Sequence, residues 1–182
     1  MPEIVCVEPA IDFNASVRRV SANDSLVFPH VDSCMSVTLM VSPDVLIGGH
    51  AGMMDHQTYE MQADVNLSDM LTRMINLTAG RRVVRAIFVG NDDTAAPDGE
   101  NWELNQAFAQ VRNALNNQSL PCVRVNTSGT GKGVDVFFDN GPMRLRVQHY
   151  QFEAGRGDLG APARRAYALD VPYHAIRDAE VS

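Results

Sequence analysis

Cysteine is scarce in this 182-residue chain: Cys6, Cys34 and Cys122 are odd in number and contain no C-x-x-C pair. That excludes a disulfide framework and a zinc ribbon and points to a reducing compartment. Basic residues do not predominate either; Lys and Arg total 15 against 22 Asp and Glu, for a net charge of −7 with no dense basic run. Such a surface repels phosphate backbones, so no nucleic-acid partner is expected. No window approaches the roughly 20 apolar residues of a membrane span, which argues against membrane insertion. The opening Met-Pro-Glu-Ile-Val-Cys lacks the basic-then-apolar order of an export signal. A cytoplasmic protein is expected, or an effector exported without a cleavable signal.

With 45% hydrophobic and 20% charged residues, the chain has the composition of one globular domain that buries a core without staples. The domain is expected over residues 26–148, with an N-terminal extension over 1–25 and a Gly- and Pro-bearing C-terminal arm over 149–182. Apolar residues over 33–41 and 45–54 flank Ser42-Pro43-Asp44, a hairpin signal. Leu67, Met70, Leu71, Met74, Ile75 and Leu77 fall at helical spacing, with Asn66 and Asp69 suited to the start and Gly80 to the stop. A strand over 83–89, a loop over 91–101, and a second helix marked by Leu104, Phe108, Val111 and Leu115 follow. Short strands over 122–125, 134–138 and 143–147 complete the order β-β-α-β-α-β-β-β. The prediction is an α/β fold of layered, sandwich-like mixed sheets with helices on the outer faces.

Several joints of this pattern carry distinctive residues. Asp32-Ser33-Cys34 stands at the head of one strand and Gly48-Gly49-His50 on its partner; Ile87-Phe88-Val89-Gly90-Asn91 ends the next strand. Asn105 lies early in the second helix, Leu120-Pro121-Cys122-Val123 opens a strand, and Ser128-Gly129-Thr130-Gly131-Lys132-Gly133 leads into Val136-Phe137-Phe138-Asp139. In this shared order the chain resembles the chemoreceptor glutamine deamidases and their relatives, the cytotoxic necrotizing factor deamidase toxins, over about two thirds of its length. The resemblance implies the layered deamidase fold, hydrolysis of glutamine side chains in a protein substrate, Cys34 and His50 as the catalytic pair, and no cofactor. It also implies helical chemoreceptors and a phosphatase as partners in chemotaxis, or a host protein for an effector. The family's Gly before Ser-Cys is Asp32 here, its histidine position is Gly52, and its threonine six residues before the cysteine is Phe28.

The residues support that chemistry on their own terms. Amide cleavage through a thioester needs a thiolate, and a free thiol with a pKa of about 8.5 needs a base beside it. If the hairpin turns about Pro43, Cys34 lies opposite Gly52 and His50 is its diagonal neighbour on the same face, about 7–8 Å away between backbones. An activated Cys34 would then ionise below about pH 8. Backbone N–H groups around Ser33 and Cys34 are the expected oxyanion donors, each worth about 3 kcal/mol of barrier. For orienting the imidazole, His30, Asp32, Ser33, Thr38, Asp55 and a backbone carbonyl are all open. A metal set drawn from Cys34, His50, His56 or His30 has no standard spacing, so no metal is expected. Cys122 reads as core and Cys6 as packing or a surface thiol. The Gly-rich run at 128–133 has Gly133 where a phosphate loop needs Ser or Thr, and reads as a turn. Arg156-Gly157-Asp158 is a coincidental tripeptide. The reading is a cysteine-dependent glutamine deamidase. Its alternatives are a silent binding or regulatory module, a transglutaminase and, third, a zinc-dependent hydrolase.

Overall fold

Among the described residues the chain forms two sheets and two α-helices in three layers. The structure, a computed structural model, describes residues 1–42, 44–52, 58, 63–91, 104–130, 133–149 and 167–182, with backbone alone at 63–64 and 104–105. One sheet has the order β1 (Glu3–Val5), β3 (Ser25–Val31), β8 (Val134–Asp139), β9 (Arg144–His149), β10 (Leu169–Pro172). The other runs β11 (Ala179–Glu180), β7 (Cys122–Asn126), β6 (Val83–Gly90), β4 (Met35–Val41), β5 (Val45–Ala51), β2 (Val17–Val20). Helices α1 (Ala63–Leu77) and α2 (Leu104–Ala114) cover the six-stranded sheet. The expected layered α/β class is therefore present.

Both helices lie on one face of that sheet, not on the outer faces of the two sheets. The reason is topological. Strands β5 and β6 both pair antiparallel with β4, so α1 makes a parallel crossover from β5 to β6, and α2 makes another from β6 to its parallel neighbour β7. The two crossovers step in the same direction along the sheet, and right-handed connections of that kind place their helices on the same side. Met35, Val37, Leu39 and Ile47 face this side with Met70, Met74, Phe88 and Val111. The opposite side takes the five-stranded sheet through Met40, Leu46, Leu26, Phe28, Ile87, Val136 and Phe138. All seven residues of β4, and all seven of β5, are buried because each strand is covered on both faces.

The terminal segments are part of these layers. The region expected as an N-terminal extension supplies β1, parallel to β3, and β2, antiparallel to β5. The C-terminal arm supplies β10 against β9 and β11 against β7. These strands have two to four residues, too few to establish a period of two. The pattern also hid β3, whose Pro29 and left-handed His30 (φ 53°) form a bulge between Phe28 and Val31. Helix α1 begins a turn before the expected start: Asn66 does not open it but donates its side-chain N–H to the Gly52 carbonyl at 2.8 Å. Its end is as expected, followed by Ala79 and Gly80 in left-handed conformations. Ser128–Thr130 is a single 3₁₀ turn. Pro43, residues 53–54 of the second hairpin strand, the loop over 92–101, Lys132 and Arg156-Gly157-Asp158 lie outside the described residues.

Gly48 and Gly49 let three layers close on one strand. A Cβ at Gly48 would stand 2.6 Å from Leu26 Cδ2 and 2.7 Å from Phe28 Cζ of the facing sheet. One at Gly49 would stand 2.5 and 2.6 Å from the sulfurs of Met70 and Met74 on α1. Gly48→Ala is expected to lower unfolding free energy in urea by about 1–3 kcal/mol. Gly49→Ala should cost less, because methionine side chains re-pack readily. Gly141→Ala, with nothing nearer than 3.5 Å to its added methyl, should be close to neutral.

Candidate active site

The register of the central hairpin decides what meets at its open end. Met35 pairs with Ala51, Ser36 with His50 and Val41 with Val45, and this register, continued by one residue, sets Cys34 opposite Gly52. Cys34 sits at the end of a three-residue bend, one residue before β4. Alternation then puts Cys34, Ser36 and Thr38 on the face toward the five-stranded sheet, together with Gly48 and His50 of β5. Gly90 at the end of β6 allows close packing here; a Cβ there would lie 3.3 Å from the Cys34 carbonyl oxygen.

A third group arrives from the N-terminal segment. After β1, Cys6 continues the pairing by donating its N–H to the Val27 carbonyl at 2.8 Å, and its thiol points at the Gly48 carbonyl, 3.6 Å away. The chain then reaches Glu8, whose carbonyl closes a turn with the N–H groups of Ile11 and Asp12. Arg73 of α1 ties this loop down through the Phe13 carbonyl and the Ser16 hydroxyl, with its guanidinium 4.0 Å from the centre of the Phe13 ring. The Glu8 carboxylate accepts the Cys34 S–H at 2.5 Å, and Glu8 Oε, Cys34 Sγ and a ring nitrogen of His50 all lie within 4.8 Å of one another.

The histidine is held by main chain. Its Nδ1 lies 3.0 Å from the Cys6 carbonyl oxygen, which can only accept, so Nδ1 carries the hydrogen and Nε2 keeps the lone pair. Phe28 stands edge-on to the imidazole with ring centres 6.2 Å apart. His50 is fully buried, and its Nε2 has no hydrogen-bond partner among the described residues. Of the candidates for orienting the ring, His30, Asp32 and Ser33 are exposed at the bend and bulge. Thr38 is buried, its hydroxyl without a partner among the described residues. Asp55 and His56 lie outside those residues. The carbonyl of Cys6 takes the orienting position. Glu8 was not anticipated from the sequence; its only signal is that it follows the strand-like residues 4–7, and nothing local says which strand they join.

Charge in this corner is disfavoured on both partners. Burial pushes the Cys34 thiol well above the ordinary thiol range and the Glu8 charge adds to it, while a side-chain hydrogen bond from Ser33 pulls weakly the other way. The expected thiol ionising below about pH 8 is therefore corrected: the resting site holds a protonated sulfur. Burial also lowers His50, against the raising effects of the Cys6 carbonyl and Glu8. Cys6, buried beside them, is pushed up to about 12 by burial. Cys34 is only 2% exposed, but Glu8 and Gly52 beside it are half-buried and Asp32 and Ser33 are exposed, so the sulfur lies just under a polar rim. Cys122 packs against the helix–sheet core. No helix among the described residues is long and apolar enough to cross a membrane. No protein-family model matches the chain, and no curated protein is a significant match to it.

The two directions of shift set a pH window for stability. Thiols held neutral in the fold ionise above about 8.5 once unfolded, so the stability they contribute is complete below that pH and is lost as pH rises through it. An imidazole held neutral binds a proton below about 6.5 once unfolded, so its contribution is complete above that pH and is lost as pH falls. Urea denaturation should show a plateau between these limits. His50→Gln should flatten the fall just below the plateau, and Cys6→Ser with Cys34→Ser the fall above it; limbs unchanged by these variants would disprove the assignment.

Proposed function

We propose that the chain is a cysteine-dependent amidohydrolase that deamidates glutamine side chains of a protein, with Cys34 as nucleophile and His50 as base. The observation that carries the reading is the convergence of Cys34 and His50 on one face, with His50 Nδ1 anchored on Cys6 and Nε2 left to receive a proton. The resemblance in sequence to the chemoreceptor deamidases and related toxins supports the same pair and the choice of glutamine. It favours a chemoreceptor-like or host protein as substrate, met in the cytoplasm or after signal-less export.

Because burial disfavours a free thiolate, the proton leaves sulfur as the attack proceeds. The S–H turns from Glu8 toward Nε2 as substrate enters, sulfur bonds to the carboxamide carbon while Nε2 takes the thiol hydrogen, and the Glu8 charge favours the imidazolium that forms. The Ser33 and Cys34 N–H groups of the bend are the donors expected to receive the oxyanion. The C–N bond then breaks, the imidazolium returns its proton to the departing ammonia, and water cleaves the thioester to give glutamate and the restored thiol. An amine in place of water makes the reaction a transglutamination.

Coexpression with candidate receptor or host proteins, read by ammonia release and by mass spectrometry of glutamine converted to glutamate, tests the proposal. Cys34→Ser should abolish conversion, and His50→Gln should lower it by a factor on the order of 10²–10⁴. Glu8→Gln should slow conversion yet speed alkylation of Cys34 by iodoacetamide, since it removes the charge that holds the thiol protonated. Conversion unchanged by Cys34→Ser would end the assignment. The near-complete burial of Cys34 favours a second reading, a silent binding module on this fold; partner binding without ammonia release, unaltered by Cys34→Ser, would establish it.

A further inference from the structure

The donors in the buried corner are a thiol, an imidazole and a carboxylate, a set with a second use. We propose that Glu8, Cys34 and His50 together bind a thiophilic divalent cation, zinc by the character of the donors, and that this cation switches off the hydrolase. The inhibitory part rests on the functional reading above; the site itself does not.

Three observations carry it. One donor atom from each residue lies within 4.8 Å of the others, drawn from β5, from the bend before β4 and from the segment after β1. A zinc ion with bonds of about 2.0–2.3 Å to N, O and S needs tetrahedral donors separated by about 3.2–3.8 Å. The 2.5 Å contact between Cys34 and Glu8 would widen to that range, and the other separations, none greater than 4.8 Å, would close to it. His50 Nε2 is a fully buried lone pair without a partner among the described residues, and its tautomer is already set by the Cys6 carbonyl in the way that second hydrogen bonds orient metal-binding imidazoles. Glu8 forms no ion pair among the described residues, so its charge meets no cation there. Binding displaces the thiol hydrogen to solvent and gives Zn–S, Zn–N and Zn–O bonds with one position open. Inhibition follows because the sulfur and nitrogen lone pairs held by the metal are the two that the hydrolysis requires.

The test uses the full chain after treatment with a chelator, titrated with Zn²⁺ against a chromogenic competitor and with Co²⁺ for its spectrum. One Zn²⁺ per chain is expected, with a thiolate-to-cobalt charge-transfer band. Cys34→Ser should remove the band, and Cys34→Ser and His50→Gln should each weaken zinc by about 100-fold or more. Cys122→Ser should leave both signals unchanged, and Glu8→Gln, which keeps the shape of the side chain, should weaken zinc without unfolding the chain. Absence of stoichiometric binding, or binding that survives Cys34→Ser, overturns the site. Ammonia release that falls with zinc and returns with chelator supports the switch; release that requires zinc overturns the switch and the metal-free reading while leaving the site in place. Zinc binding to a chain that releases no ammonia under either condition likewise overturns only the functional reading and the switch.

Discussion

The bond from His50 Nδ1 to the Cys6 carbonyl is the constraint on which the corner between the sheets depends. It joins the open end of the central hairpin to the chain leaving the edge strand of the opposite sheet, and it does so with a polar group inside an apolar layer. Left without that acceptor, a fully buried imidazole would cost about 1–3 kcal/mol in unsatisfied hydrogen bonding alone. With it, the ring has one orientation and one tautomer. The same pairing brings the main chain from Cys6 past His50 to Glu8, so the histidine's orientation and the carboxylate's placement are two results of one strand addition. Arg73 and the Asp12 turn then hold the loop from the outside.

The layers explain why the polar corner lies where it does. Strand β4 and the bend residue before it alternate apolar residues toward the helices with Cys34, Ser36 and Thr38 toward the second sheet, and only at Met40 does that second face become fully apolar. A sandwich interior tolerates such a stripe at the rim, where hydroxyls and thiols find carbonyls, as Ser36 does with Val89 and Cys6 with Gly48. The glycines of β5 complete the arrangement. Without side chains at 48 and 49, the strand fits between α1 and β3, and Phe28 reaches the imidazole.

The hairpin, both helices and the central strands were legible because their signals are local: a turn of Ser, Pro and Asp, an apolar stripe at 3.6 residues, a run of β-branched residues. The register was legible for the same reason. A two-strand hairpin with a fixed turn leaves one pairing that keeps the apolar set buried, and that pairing sets Cys34 diagonal to His50. What failed was non-local. Strands of two to four residues at the ends have no period to read, and their partners stand 22 to 54 residues away with nothing local to name them. Glu8 belongs to this class; its role follows from β1 joining β3, which no pattern within residues 1–25 states. The ionisation of Cys34 was misread because sequence proximity to a histidine suggests a base, whereas burial and an adjacent carboxylate act on the thiol more strongly.

That balance limits what the site can do at rest. A thiolate–imidazolium pair stores two charges under a nearly closed surface, and both residues are shifted toward the neutral forms. Charge is therefore admitted only with something that offsets it on arrival, which under the two proposals is a carboxamide carbon that takes the sulfur's electrons as they are released, or a cation that takes them outright. Both outcomes need the same lone pair on Nε2, and the bond to Cys6 keeps it available for either. A buried thiol beside a carboxylate is, on this view, guarded rather than activated. The carboxylate holds the hydrogen on sulfur, which protects the thiol from oxidation and stray alkylation, since both reactions run through the thiolate.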